Sequence, residues 1–202
     1  MVNCPNCGVE MEQKKNAELR IVLLNEKDIE FLKESNAIER EYTEIALDDS
    51  METFRWAYAN MNKIDINFIL KVHELLMKRL NPRIAGKIRN CSVYIGNEIR
   101  MQSKKDIEIS LDDWLKGCYH NDEDIRQLHI WFEKIHPFED GNGRTGRILM
   151  NIQRLKLGLP ILIIHEGKEQ LEYYKWFKEG NYALQQKPYL LDGISVKETK
   201  HG

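Results

Sequence analysis

Ile125, Leu128, Phe132 and Ile135 recur every three or four positions with polar residues between them, so the stretch from about Asp124 to Ile135 predicts an amphipathic helix. Pro137 ends it, because proline has no N–H to continue the ladder. The same period returns in Ile148, Leu149, Ile152 and Leu155 and stops at Gly158 and Pro160, which predicts a second helix starting just after Gly141-Asn142-Gly143. A further helix is expected from about Lys168 to Leu184. The pattern turns β-prone at Val93-Tyr94-Ile95, where Gly96-Asn97 offers a two-residue turn into Glu98 to Met101. The expected fold class is mainly α with one small β-hairpin.

Composition adds limits to this picture. With 202 residues, 42% of them hydrophobic, the chain can bury one good core. A formal charge of −2 gives no sign of a nucleic-acid surface, since lysine and arginine nearly balance aspartate and glutamate. No stretch approaches the roughly 20 apolar residues that span a bilayer, and the N-terminus lacks the apolar run of a signal peptide. The cytoplasm is the expected location.

Candidate chemistry is concentrated between the first two predicted helices, in His136-Pro137-Phe138-Glu139-Asp140-Gly141-Asn142-Gly143-Arg144-Thr145-Gly146-Arg147. A loop feeding a helix N-terminus offers unpaired N–H groups and the positive end of the helix dipole, a seat for phosphate oxygens. Arg144 and Arg147, three apart on that helix, can both point over its first turn as a phosphate clamp. Asp140 is a hard oxygen ligand suited to the magnesium that accompanies a nucleoside triphosphate. His136, at the end of the preceding helix, can take a proton from an incoming hydroxyl. The lysine that a Walker loop places after its glycines is missing.

The segment resembles the signature of Fic-domain proteins, His-x-Phe-x-(Asp/Glu)-Gly-Asn-Gly-Arg-x-x-Arg, with all eight specified positions filled. The resemblance implies a helical bundle that transfers AMP from ATP to a Ser, Thr or Tyr hydroxyl of a target protein and releases pyrophosphate. It implies that His136 is the base and Asp140 the magnesium ligand. Gly141, Asn142, Gly143 and Arg144 would surround the α- and β-phosphates, Arg147 would meet the γ-phosphate, and Phe138 would anchor the loop. Gly143, where relatives that phosphorylate tend to carry lysine, favours nucleotidyl transfer. Upstream, Val72-His73-Glu74-Leu75-Leu76, Ala85-Gly86-Lys87-Ile88-Arg89 and Val93-Tyr94-Ile95-Gly96 are similar to runs that precede the signature in that family. The hairpin then corresponds to the family's flap, in which Val93, Tyr94 and Ile95 would align the target backbone as an added strand. Glu172-Tyr173-Tyr174 resembles part of the closing helix, with one tyrosine near the nucleotide or in the core.

Ser35-Asn36-Ala37-Ile38-Glu39-Arg40 resembles the family's inhibitory motif, (Ser/Thr)-x-x-x-Glu-(Gly/Asn), with Arg40 in place of the last residue. This implies an inhibitory helix in the same chain, whose Glu39 pairs with Arg147 in the γ-phosphate's place. The same glutamate could position water to remove AMP from a modified target. A non-catalytic nucleotide-binding regulator is the alternative from a different class.

The remaining feature is Cys4-Pro5-Asn6-Cys7-Gly8, which has the form of one zinc knuckle. It supplies half of a tetrahedral site, so zinc shared between two chains would make it a dimerisation device. Cys91 and Cys118 are isolated, and His73 and His129 lie on apolar helical faces as satisfied core residues or supports of the site. The expected organisation is a Cys-x-x-Cys extension over residues 1–15 and a Fic domain over 16–202. That domain would hold the inhibitory helix near 35–40, the flap near 91–101 and the active-site loop at 136–147.

Overall fold

The computed structural model describes residues 2–3, 10–11, 23–95, 98–117 and 119–186. In chain order the elements are β1 (Val2–Asn3), β2 (Glu10–Met11), α1 (Glu26–Ile38), α2 (Glu44–Ala59), α3 (Ile66–Met77), β3 (Val93–Ile95), β4 (Glu98–Arg100), α4 (Lys104–Leu115), α5 (Asp122–Ile135), α6 (Asn142–Lys156) and α7 (Lys168–Gln186). Among the described residues the sheet content is two antiparallel pairs, β1 with β2 and β3 with β4; in the second, Tyr94 faces Ile99. The chain is mainly helical, as its apolar period predicts. Cys4, Cys7 and Cys118 lie outside the described residues, and Cys91 is an exposed free thiol. Among the described residues no helix is long and apolar enough to cross a membrane.

Local sequence sets most helix starts. Asn25, Thr43, Asp65, Ser103 and Asn121 accept main-chain N–H bonds from the first turns of α1 to α5. Asn121 also explains why α5 begins at Asp122, two residues before the expected start at Asp124. The exception is α6: its N-cap is Gly141, left-handed at φ 75°, with no side-chain cap. Its first N–H groups therefore keep their donors unspent, as an anion seat needs.

The core lies where α2, α3, α5 and α6 meet, sealed by Phe54, Ile69, Val72, Phe132 and Ile152, each at most 2% exposed. Burying side chains of this size contributes about 1.5–3 kcal/mol apiece. Phe31 and Leu32 of α1 belong to the same cluster, so α1 is part of the bundle. The loop between α5 and α6 is pinned by Phe138, fully buried and stacked on His73 of α3 at 3.7 Å with the rings 4° from parallel. Asn142 closes it, donating through Nδ2 to the Phe138 carbonyl and accepting the Phe138 N–H at Oδ1, both at 2.9 Å.

Candidate active site

His136 ends α5 in the left-handed conformation, φ 49° and ψ 62°. Its Nδ1 lies 3.2 Å from the Glu133 carbonyl, which can only accept, so Nδ1 carries the proton and Nε2 keeps its lone pair. Burial holds the imidazole below its ordinary range, and the Arg89 charge pushes the same way against the Glu133 carbonyl, Glu39 and Asp140. A neutral imidazole with a basic Nε2 is the form a proton acceptor needs.

The loop after His136 sorts its two carboxylates. Glu139 is tied to Arg83 (Nη2 to Oε2 2.7 Å), whereas Asp140 is exposed, with Oδ1 accepting the Gly141 N–H. His73 fixes the loop from below. Its Nδ1 accepts the Gly86 N–H at 3.0 Å, so Nε2 bears the proton and donates to the Asp140 carbonyl at 3.0 Å. Burial pushes this imidazole down to about 4, which keeps that tautomer neutral.

The two signature arginines meet different elements. Arg144, 5% exposed, donates from Nη2 to Met77 Sδ of α3, and its Nε and Nη1 have no partner among the described residues. Arg147, 2% exposed, reaches α1: Nε donates to Ser35 Oγ at 2.9 Å, and Nη2 to the Ser35 carbonyl at 2.8 Å and to Glu39 Oε1 at 2.7 Å. Tyr173 of α7 backs this fork, its hydroxyl 3.4 Å from Arg147 Nη1 and 2.9 Å from His129 Nε2. Burial pushes His129 down to about 3, so the neutral ring accepts the phenol proton while the phenol oxygen accepts from Arg147.

Gly143 makes the Glu39 contact possible. A Cβ there would collide with Glu39 Oε1 and come within 2.9 Å of Arg147 Nη1. Arg40 shows why Gly or Asn suits the position after the glutamate: it is left-handed at φ 57°. The Arg40 N–H meets the Ala37 carbonyl at 2.8 Å and the Glu41 N–H meets the Asn36 carbonyl at 3.0 Å, a Schellman cap that ends α1 with Glu39 aimed at the site. Arginine is compatible with that backbone, with some strain.

Residues 63–153 match the Fic/DOC family. The chain carries a Fic domain. The chain is 26% identical over 182 residues to protein adenylyltransferase Fic of Aedes aegypti, covering 86% of itself and 35% of that protein. With protein adenylyltransferase fic-1 of Caenorhabditis elegans it shares 34% over 119 residues, 56% of itself and 23% of that protein. The chain thus spans about a third or less of these relatives. A Fic domain containing signaling protein of Bacteroides thetaiotaomicron has the same fold, with TM-score 0.62 and 18% identity over 82% of this chain and 80% of that one. A C. elegans Fic-1 fragment is similar, with TM-score 0.59 and 19% identity over 83% and 63%.

The Fic domain places His136, Asp140, Gly141 to Arg144 and Arg147 around the start of α6, with Ser35 and Glu39 brought in by α1. The Asn142 side chain is engaged with Phe138, so only its main-chain N–H can face an anion. In the hairpin Val93 is buried and Tyr94 is 72% exposed. Two residues near the loop carry no chemical signal of their own in the sequence. Glu133 has a buried Oε1 without a partner among the described residues, and burial together with Glu39 pushes its carboxyl up to about 8 despite Arg147. Burial thus favours its protonated form, and Glu39 is the carboxylate that meets Arg147. The other is Arg89, 1% exposed and donating to the His136 carbonyl.

The residues present fit a nucleoside triphosphate with magnesium. An uncapped helix start, two partnerless N–H-bearing atoms on buried Arg144, and one exposed carboxylate match phosphate oxygens and a hard cation that takes its other ligands from phosphate and water.

Proposed function

We propose that this chain is a protein adenylyltransferase that moves AMP from ATP to a hydroxyl side chain of a target protein and is held back by Glu39. The carrying observation is the neutral His136 with its basic Nε2, set on the loop that leads into the uncapped N-terminus of α6, where Arg144 keeps partnerless donor atoms among the described residues. The names of the relatives, protein adenylyltransferase Fic and fic-1, support the same chemistry.

In this reading the acceptor oxygen bonds to the α-phosphorus as its proton passes to His136 Nε2, and the bond to the bridging oxygen breaks to release pyrophosphate. The N–H groups of Asn142, Gly143 and Arg144 hold phosphate oxygens, and Arg147 holds the γ-phosphate. Asp140 would hold magnesium, which when bound neutralises charge on the phosphates. The hairpin presents the acceptor segment as an added strand. Glu39 on Arg147 occupies the γ-phosphate's place, so resting transfer is low. Glu39 is also 38% exposed beside the same loop, which favours removal of AMP, with Glu39 positioning water, as a second activity of this site.

Self-modification of the Glu39→Gly chain with ATP labelled on the α-phosphate tests the assignment. Label is expected with Glu39→Gly and should fall by roughly a hundredfold or more in Glu39→Gly/His136→Ala. ATP binding without label in either would turn the assignment to a regulator that only binds nucleotide.

A further inference from the structure

Arg89 is 1% exposed, and its partners among the described residues are all neutral. Nε donates to the His136 carbonyl at 2.7 Å, Nη1 to the carbonyls of Cys91 at 2.8 Å and Arg100 at 3.5 Å, and Nη2 to Gln102 Oε1 at 3.3 Å. Its own N–H bonds the Pro137 carbonyl at 2.9 Å. Burying a guanidinium without a carboxylate is unfavourable, so a side chain kept there has to do what a neutral one cannot. What Arg89 supplies is a rigid fork of donors reaching three chain segments at once. These are the loop that carries His136, the residue leading into β3, and the end of β4 with its exit.

We propose that Arg89 is a positioning residue for AMP transfer, fixing the register between the hairpin that presents the acceptor and the imidazole that takes its proton. The inference rests on the adenylyltransferase reading and adds a residue to it. His136 is left-handed, a conformation that strains a non-glycine residue, and the bond from Arg89 to its carbonyl holds it there. Both strands of the hairpin hang from the same guanidinium, so an acceptor strand added to the hairpin inherits a fixed distance to Nε2. The Arg89 charge also favours the neutral imidazole, while Glu39 from α1 and Asp140 from the loop oppose it.

The test uses the Glu39→Gly chain as enzyme, a His136→Ala copy as acceptor protein, and water as a second acceptor, read as AMP released from ATP. Gln102→Ala, which loosens only the hairpin side, should lower transfer to the protein by about tenfold or more while AMP release to water and ATP affinity stay the same. Arg89→Met should in addition move the acid limb of the rate profile to higher pH, and Arg89→Lys should not. Losses that are equal for protein and water, with the acid limb unmoved, would reduce Arg89 to a folding role and overturn the proposal. NMR titration of His136 checks the charge effect without turnover, so it stands even if Glu39→Gly shows no transfer, a result that would count against the adenylyltransferase reading. A higher His136 pKa in Arg89→Met than in Arg89→Lys supports the role, and equal values refute it. If Arg89→Met does not fold, Gln102→Ala and Arg89→Lys decide by the ratio of protein to water transfer.

Discussion

Arg89 and Arg147 are both sealed from solvent, at 1% and 2% exposure, yet they keep opposite company. Arg89 is held by carbonyl and amide oxygens, most of them main chain, which cannot depart without unmaking the loop. Arg147 is held in part by Ser35 and in part by Glu39, a carboxylate whose side chain is 38% exposed and free to turn towards water. One arginine is therefore frame, and the other has a partner that another anion can replace. Phosphate is such an anion.

The difference is measurable in urea. Arg89→Met leaves four partly buried acceptors without their donor and should destabilise the fold by about 3 kcal/mol, while Arg147→Met strands the two Ser35 acceptors but leaves Glu39 able to rehydrate, and should cost about 2 kcal/mol. Equal losses would erase the distinction. A second test pushes the exchangeable partner away without altering either arginine. Gly143→Ala places a methyl group against Glu39 Oε1 and should lower stability by about 2 kcal/mol, with most of that loss gone on a Glu39→Gly background. Additive losses would mean that the methyl group offends something other than Glu39. The smallest effect is expected at Arg40, where φ is 57°. Arg40→Gly relieves left-handed strain and should raise stability by roughly 0.5 kcal/mol, partly offset by the entropy of an unfolded glycine. In an α-label assay it should also lower resting transfer, because α1 then ends with less strain.

Much of this was legible in the sequence, for local reasons. The ends of α5 and α6 follow from period and breakers, and the hairpin follows from β-prone residues around Gly96-Asn97. The loop was legible because its chemistry is contiguous. The α7 helix runs to Gln186, two residues past the expected Leu184 and two before Pro188, the nearest breaker in the sequence. Arg89 could not be read in this way. Its partners come from residues 91, 100, 102 and 136, and nothing in Ala85-Gly86-Lys87-Ile88-Arg89 distinguishes a buried cation from a solvated one. Glu133 occupies a polar position of an amphipathic helix, yet its carboxyl lies against Gly146 of α6. At position 40 the pattern asks for a residue type, whereas the fold asks for a left-handed backbone, which arginine can also adopt.

The depth at which α1 is set into the bundle bears on how fast the proposed restraint can lift. Phe31 and Leu32 are in the core, and the Ser35 carbonyl is itself bonded to Arg147, so undocking the helix would expose apolar surface and break the fold locally. Rotating Glu39 about its own side-chain torsions breaks one ion pair and leaves the helix seated. Side-chain hops of that kind in exposed residues take picoseconds to nanoseconds, against microseconds or longer for moving a packed helix. Leakiness at rest would then be a rotamer population, adjustable by small changes around one carboxylate and indifferent to the global stability of the chain.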